Sequence, residues 1–253
     1  MYQNEALFTR LNQITVPAKL RQGQEIYLEG DPFSALLFRK PYKGEIITLK
    51  DASGKEFRGR IVNLQKDCAS VSIFEELTDP TELPFDMFLF QALPDKERME
   101  LIIEKGTELG VKVIVPIKSK HSISLEEREA RQPKAHRWQH IAIKATKQCR
   151  RASVPYVAPY CSFHKALEIA RPLGLKLLLL EQEREKLSSI LRPTPLPRSI
   201  ALMVGPEGGW SNEEVQKAKE AGFATVGLGA KILRTETAAI AACAILQYEW
   251  GGS

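Results

Sequence analysis

A glycine-rich turn follows a strand-like segment and precedes the start of a helix. Gly205, Gly208 and Gly209 come after the apolar run SIALMV, and Ser211 with Glu214 has the S-x-x-E spacing of a helix capping box. In open α/β sheets ligands bind beyond the carboxyl ends of strands, where glycine lets the backbone approach a ligand closely. The turn has neither the GK[ST] ending of a P-loop nor GxGxxG spacing. It predicts either a tight turn or a turn that contacts a ligand.

A second polar loop follows the next strand-like segment, ATVGLG. Leu228 and Gly229 end that strand, and Arg234, Thr235 and Glu236 precede a helix that is apolar on nearly all sides. Polar groups at the mouth of a buried helix are unfavourable unless they find partners. Two interpretations follow: these side chains belong to a binding site, or Thr235 and Glu236 cap the helix while Arg234 pairs with a carboxylate.

Basic charge is concentrated in the middle of the chain. Between Lys112 and Lys165 there are 12 Lys and Arg residues against 3 acidic ones, although the whole chain has a net charge of only +5. A helix is predicted from about residue 134 to 150, with an apolar stripe at Trp138, Ile141, Ala142, Ala145 and Cys149. Another face carries Arg137, His140, Lys144, Lys147 and Arg151. This pattern predicts either a phosphate-binding surface or a solvated helical face.

Composition restricts the class of protein. With 253 residues, 43% of them hydrophobic, the chain can bury a substantial core. No apolar run reaches the roughly 18 residues that a membrane span needs, and the acidic N-terminal segment is unlike a signal peptide, so we expect a cytoplasmic protein. The four cysteines have no CxxC spacing, so we expect neither a metal site nor a disulfide framework; they are Cys68, Cys149, Cys161 and Cys243.

The elements that must position these loops fall into two regions. Residues 1–76 contain short β-favouring runs, with DASG (51–54) as a turn between two of them, and predict a small antiparallel barrel or sheet. Residues 77–86 contain two prolines and predict a linker. From residue 87 to 253, β-like and α-like segments alternate, which predicts an α/β domain with a mostly parallel sheet covered on both faces.

Four segments then carry a family resemblance, in order along the chain. GPEGGWSNEE (205–214) and LGAKILRTETA (228–238) resemble the second and third signature motifs of the SPOUT methyltransferases. EKGTELGVKVIVPIKSKHS (104–122) and RWQHIAIKATKQCRRASVP (137–155) resemble segments of one family within that class, and the ILRTETA form (232–238) of the third motif resembles the same family. The chain is therefore similar to the 16S ribosomal RNA (uracil-N3)-methyltransferase family.

The resemblance implies a fold and partners that spacing alone does not. It implies a C-terminal SPOUT domain tied in a trefoil knot, a topology that general rules of chain connectivity would exclude, preceded by an RNA-binding, PUA-like β-barrel. It also implies a homodimer, S-adenosylmethionine (SAM) as methyl donor without a metal, and 16S rRNA in the small ribosomal subunit as substrate. The RNA-binding residues expected from it and from the basic stripe are Arg39, Arg137, His140, Lys144, Lys147, Arg150 and Arg151.

The resemblance also implies site residues. Those expected to hold SAM are Leu180, Gly205, Pro206, Gly208, Leu228, Gly229, Ile232, Leu233 and Thr235. Because N3 of uridine must lose a proton before it can attack, Arg151 and Arg234 are candidates for stabilising the anion, and Glu207 and Glu236 for accepting the proton. Each glutamate could instead be a buried cap, and Arg151 a phosphate clamp. Two other functions stay open, namely methylation of a ribose 2′-OH or a tRNA base by a related enzyme, and RNA binding without catalysis.

Overall fold

The computed structural model describes residues 11–94, 96–126, 138–181, 183 and 185–251. These residues form two compact units, which are described separately. The first comprises Met1–Glu82 with Ile143–Tyr156, and the second comprises Leu83–Ala142 with Val157–Ser253. The sequence predicts contiguous regions at 1–76 and 87–253, whereas the structure groups the return segment Ile143–Tyr156 with the first unit.

The first unit is built on a four-stranded antiparallel sheet. Its strand order is β1-β4-β3-β2, so the last strand lies between the first and the third. Side chains alternate along β1, where Ile26 and Leu28 are buried and their neighbours are exposed, as expected for a sheet with one covered face. The elements are β1 (Glu25–Leu28), α1 (Gly30–Phe38), β2 (Ile46–Lys50), β3 (Glu56–Leu64) and β4 (Ala69–Glu76).

The predicted DASG turn between β2 and β3 is present and is organised by Asp51. Its Oδ1 atom accepts hydrogen bonds from the Ser53 amide at 2.8 Å and from the Lys55 amide at 3.1 Å, and Oδ2 accepts from the Leu20 amide at 3.2 Å. Burial disfavours the charged carboxyl, but these hydrogen bonds and one from the Ser53 hydroxyl outweigh it, and the pKa of Asp51 is lowered. Gly54 closes the turn at φ +87°.

The second unit contains a mostly parallel sheet, as predicted. Its strand order is β11-β9-β10-β5-β6-β7, with β8 paired to β6 beside that path. The strands pair in parallel from β11 through to β6 and between β6 and β8. The strands are β5 (Asp86–Ala92), β6 (Val113–Lys118), β7 (Tyr156–Val157), β8 (Cys161–Ser162), β9 (Leu175–Leu179), β10 (Ser199–Val204) and β11 (Ala224–Val226).

Helices connect these strands and bury apolar faces. In α2, Met99, Ile102, Ile103 and Gly106 are buried, which is the face that the 3.6-residue period predicts. No helix within the described ranges is both long and apolar enough to cross a membrane. The helices are α2 (Lys96–Glu108), α3 (Trp138–Cys149), which continues into the first unit, α4 (Phe163–Ala170), α5 (Leu187–Leu191), α6 (Asn212–Glu220) and α7 (Thr235–Trp250).

The last helix, α7, is less completely buried than its composition indicates. It packs against α2, and Ala239, Ala242 and Cys243 are buried. However, Ile245 is 39% exposed and Tyr248 is 88% exposed. The helix therefore presents an apolar side chain and an aromatic ring to its surroundings, next to a small-residue face that is covered within the second unit.

Candidate functional site

A cavity of about 570 Å³ lies at the carboxyl ends of three neighbouring strands in the second unit. Leu180 follows β9, Gly205 follows β10 and Leu228 follows β11, and all three line the cavity. Because β9 pairs in parallel with both β10 and β11, the three strand ends meet at one edge of the sheet. This is where open α/β sheets bind ligands, and the volume lies within the usual range for small-molecule sites.

The cavity brings together most of the residues that the sequence analysis assigned to SAM. Eight of the nine line it, and the ninth, Gly208, does not. The Gly208 carbonyl lies 3.1 Å from Nδ1 of His121, and a Cβ atom added at this position would be only 2.8 Å from Cβ of His121. Gly208 therefore leaves room for the His121 side chain. The lining residues that were predicted are Leu180, Gly205, Pro206, Leu228, Gly229, Ile232, Leu233 and Thr235.

Trp210 is a lining residue that the sequence analysis missed. Its Nε1 atom donates to the Leu179 carbonyl at 3.2 Å, and its ring lies 5.5 Å from that of Phe163. A Cβ atom at Gly205 would come within 3.1 Å of the same Nε1 atom. Gly205 therefore packs closely against the indole, which joins the turn to the end of β9.

The predicted capping box at the start of α6 is present. The Ser211 hydroxyl accepts from the Glu214 amide, and the Glu214 carboxylate accepts from the Ser211 amide at 2.9 Å. The same carboxylate also accepts from the Lys120 amide at 2.9 Å, which ties the loop after β6 to this helix start. The position of α6 after the glycine turn is therefore fixed by hydrogen bonds from two segments.

Thr235, the first residue of α7, joins the two cavity loops. Its Oγ1 atom donates to the Gly205 carbonyl at 2.6 Å and accepts from Nε2 of Gln91 at 3.0 Å. Thr235 is only 5% exposed, and its hydroxyl is used between loops. Thr235 therefore does not only cap α7, because its side chain also holds the two loops together.

Arg98 on α2 joins the two glutamates that were candidate proton acceptors. Its Nη1 atom lies 2.5 Å from Oε1 of Glu207, and its Nε atom lies 3.8 Å from Oε2 of Glu236. Glu207 lines the cavity, whereas Glu236 does not. No local pattern predicts this role for Arg98, because it precedes Glu207 by 109 residues.

Charged side chains of both signs line the cavity. Arg234 is exposed and lines it together with Lys231. The acidic lining residues are Glu181, Glu183 and Glu207. A ligand that carries both a positive and a negative group would find complementary charge on this lining.

Arg151 lies in the first unit and is not among the residues that line the cavity. It is 4% exposed, and its Nη2 and Nε atoms lie 2.5 and 3.3 Å from the two carboxylate oxygens of Glu82. Oε1 of Glu82 also accepts from the Ser153 amide at 2.9 Å. In this structure the guanidinium is therefore part of a buried ion pair within the first unit.

Arg39 differs from its expected role as an RNA contact. It is 4% exposed, and its Nη2 atom donates to the Asn12 carbonyl at 2.9 Å and to the Ala152 carbonyl. Burial lowers the pKa of Arg39 to about 10. The side chain holds the return segment within the first unit, and residue type alone could not reveal this because arginine is usually exposed.

The basic stripe on α3 is only partly available. His140, Lys144 and Arg150 are exposed, whereas Arg137 lies outside the described residues. Lys147 donates to Oε2 of Glu45 at 3.0 Å and to the Lys40 carbonyl at 2.8 Å, so this ammonium is engaged inside the first unit.

The fold and the cavity agree with the comparison to known families. The family described as RNA methyltransferase domain matches residues 81–247, and the chain belongs to this family.

Individual relatives have more specific names than the family. The chain is 31% identical to ribosomal RNA small subunit methyltransferase E of Bacillus subtilis over 82% of this chain and 83% of that protein. It is 37% identical to a ribosomal RNA small subunit methyltransferase E from Neisseria gonorrhoeae whose crystal structure is bound to S-adenosyl methionine, with a TM-score of 0.68 over 95% of this chain and 98% of that one. A similar protein from Aquifex aeolicus, of the same name, is 31% identical over 83% of this chain and 98% of its own length.

Proposed function

We propose that this protein transfers a methyl group from SAM to N3 of a uridine in 16S rRNA. The observation that carries the proposal is the cavity at the strand ends, because eight residues assigned to SAM by motif resemblance line this one site. The relatives support it, since they are named as methyltransferases of small-subunit ribosomal RNA and one of them is bound to SAM. The uridine N3 specificity rests on the ILRTETA form of the second loop.

The lining of the cavity fits SAM in size and charge. Leu180, Leu228 and Leu233 offer apolar surface for an adenine ring, and the two loops supply backbone groups at the strand ends. The carboxylates of Glu181 and Glu183 match a positively charged sulfonium and amine. When bound, SAM supplies a methyl group that the sulfonium already activates, so no metal is required.

The residues of the chain then have to prepare the uridine. N3 carries a weakly acidic proton, so the base must lose it and the resulting anion must be stabilised. Arg234 lines the cavity and is the candidate for stabilising that anion. Glu207 is the candidate proton acceptor, because it lines the cavity and Arg98 holds its carboxylate through Oε1. Glu236 is the second candidate.

We further propose that the first unit and α3 hold the RNA. Lys144 and Arg150 are exposed cations of the first unit, and His140 is exposed on the same helix as Lys144. Arg137 is a further candidate. Phosphate contacts of this kind would position the RNA while the uridine is turned out of its stack. The same proposal includes further features of the protein. They are an RNA-binding PUA-like barrel at residues 1–76, a linker at 77–86, a trefoil knot within 87–253, a homodimer and a cytoplasmic location.

Methylation of defined RNA tests this function directly. Small ribosomal subunits from cells that lack the endogenous activity would be incubated with the protein and labelled SAM, and the nucleosides would be identified by mass spectrometry. We expect 3-methyluridine in 16S rRNA. A 2′-O-methylated nucleoside, or a product found only in tRNA, would favour the related-enzyme alternative. RNA binding without SAM binding in calorimetry would favour a non-catalytic protein.

A further inference from the structure

Gln91 is a fully buried polar residue that contacts Thr235, one of the residues lining the cavity. It lies near the end of β5, directly opposite Val204 in the parallel register with β10, and it is 0% exposed. It does not line the cavity itself. Its Nε2 atom donates to the Ala92 carbonyl at 2.9 Å and to Oγ1 of Thr235 at 3.0 Å.

The orientation of the Gln91 amide follows from its partners. The Ala92 carbonyl can only accept, so the NH2 group must face it, and a reversed amide would place two acceptors together. The same NH2 group then donates to Oγ1 of Thr235. Because that oxygen accepts from Gln91, its own hydrogen is left to point at the Gly205 carbonyl, 2.6 Å away. A directional series of hydrogen bonds thus runs from β5 through α7 to the end of β10.

The amide is retained at an energetic disadvantage. Oε1 of Gln91 is buried and has no hydrogen-bond partner among the residues that the structure describes. Leaving a buried acceptor unpaired is unfavourable, and an apolar side chain of similar size would avoid it. The NH2 group of the amide therefore provides hydrogen bonds that an apolar side chain could not provide.

We infer that Gln91 is a positioning residue for the cofactor: it orients the Thr235 hydroxyl, which in turn fixes the Gly205 carbonyl and the two loops that line the cavity. This inference rests on the proposed binding of SAM. It assigns the residue no contact with SAM or with the uridine. Its loss should raise the Kd and KM for SAM more than it lowers kcat.

Gln91→Glu tests the direction of these hydrogen bonds without changing the size of the side chain. An ionised carboxylate would accept from the Thr235 hydroxyl and draw its hydrogen away from Gly205, whereas a protonated carboxyl could still donate. Burial favours the protonated form. We expect the Kd for SAM, measured by calorimetry, to be about tenfold weaker than that of the unaltered protein at pH 8.5, corresponding to one hydrogen bond. The difference should shrink to about twofold at pH 5.5.

Matched variants separate this effect from a general loss of structure. Gln216→Glu makes the same change on the exposed side of α6 and should bind SAM like the unaltered protein at every pH. Thr235→Ser keeps the hydroxyl and should remain within about twofold, whereas Thr235→Val should bind about tenfold more weakly. Adding Gln91→Leu to Thr235→Val should cause little further loss of SAM affinity, because both changes interrupt the same series of hydrogen bonds. Thermal unfolding at each pH verifies that every variant is folded.

The outcomes distinguish this inference from the function on which it rests. If the unaltered protein fails to bind SAM, the proposed function is wrong. If it binds SAM but Gln91→Glu shows the same affinity at both pH values, the inference alone is wrong. Additive losses of SAM affinity for Gln91→Leu and Thr235→Val would overturn the inference as well. If Gln91→Glu is unfolded at pH 8.5, the comparison of these two variants with the double variant tests the inference instead.

Discussion

The Nη1 atom of Arg98 lies 2.5 Å from Oε1 of Glu207, which connects the first turn of α2 to the glycine turn after β10. The Nε atom of the same guanidinium lies 3.8 Å from Oε2 of Glu236 in the first turn of α7. One arginine therefore orients two carboxylates beside the proposed site.

Replacing Arg98 should affect turnover more than stability. The Arg98 side chain is 30% exposed and that of Glu207 is 37% exposed, so we expect Arg98→Met to change the free energy of unfolding by less than about 1 kcal/mol. Loss of the carboxylate orientation should lower kcat about tenfold. Lys217→Met removes an exposed ion pair with Glu213 on α6 and should leave kcat unchanged. A normal kcat for Arg98→Met would contradict the proposal that Arg98 orients these carboxylates for turnover.

Gly205→Ala should weaken SAM binding through Trp210. The added methyl group would come within 3.1 Å of the indole Nε1 atom and would disturb its hydrogen bond to the Leu179 carbonyl. We expect a weaker affinity by about tenfold or more and a shifted tryptophan emission maximum. Gly106→Ala is the matched change inside α2, where the nearest atom lies at an ordinary 3.5 Å, and it should leave both measurements unchanged.

Arg151→Met should primarily destabilise the first unit. It would leave the Glu82 carboxylate in a partly buried site without its 4% exposed partner, so we expect a loss of about 3 kcal/mol in the free energy of unfolding. Denaturant unfolding of this variant, of Glu82→Gln and of the double variant measures the coupling between the two side chains. A fully stable Arg151→Met protein that has lost turnover would instead support the catalytic role predicted from the sequence.

Asp51→Asn should reduce stability in a pH-dependent way. The pKa of Asp51 is lowered in the folded protein, so its carboxylate stabilises the fold above the unfolded-state pKa, and this contribution disappears as the pH falls through the folded-state pKa. The variant should therefore have a lower Tm than the unaltered protein at pH 7, and the two values should converge in strongly acidic solution. A constant difference across this pH range would contradict the assignment.

Cys243 should resist alkylation in the folded protein. It is 0% exposed on α7, and burial raises the pKa of its thiol to about 12. Cys161 is half-buried, and burial raises the pKa of its thiol to about 11. At pH 8 we expect iodoacetamide to modify Cys68 first and to leave Cys243 unmodified until denaturant is added, with mass spectrometry as the readout. Rapid labelling of Cys243 without denaturant would indicate that α7 opens readily.

The sequence predicted the elements and the cavity well, because both depend on local patterns. Apolar periodicity located α3, and the spacing of Ser211 and Glu214 located the start of α6. The positions of glycines after strand ends predicted Gly205 and Gly229, and both line the cavity. Each of these signals lies within about a dozen residues of chain.

The contacts that could not be predicted from the sequence join residues that are far apart along the chain. Gln91 and Thr235 are 144 residues apart, and His121 and Gly208 are 87 apart. No spacing rule joins such positions, because they come together only when the whole unit is folded. The burial of Arg39 was missed for a related reason, because its partners are backbone carbonyls that any residue type could provide.

The register between β5 and β10 has an evolutionary consequence. Gln91 pairs with Val204 in the sheet and its side chain reaches Thr235, while side chains alternate between the two faces of a strand. A single-residue insertion within β5 would therefore turn the amide to the opposite face and place Phe90 or Ala92 in its position. Insertions and deletions should be tolerated in surface connections such as residues 192–198 and be absent from these two strands, so the spacing between the end of β5 and the end of β10 can drift only through the loops between them.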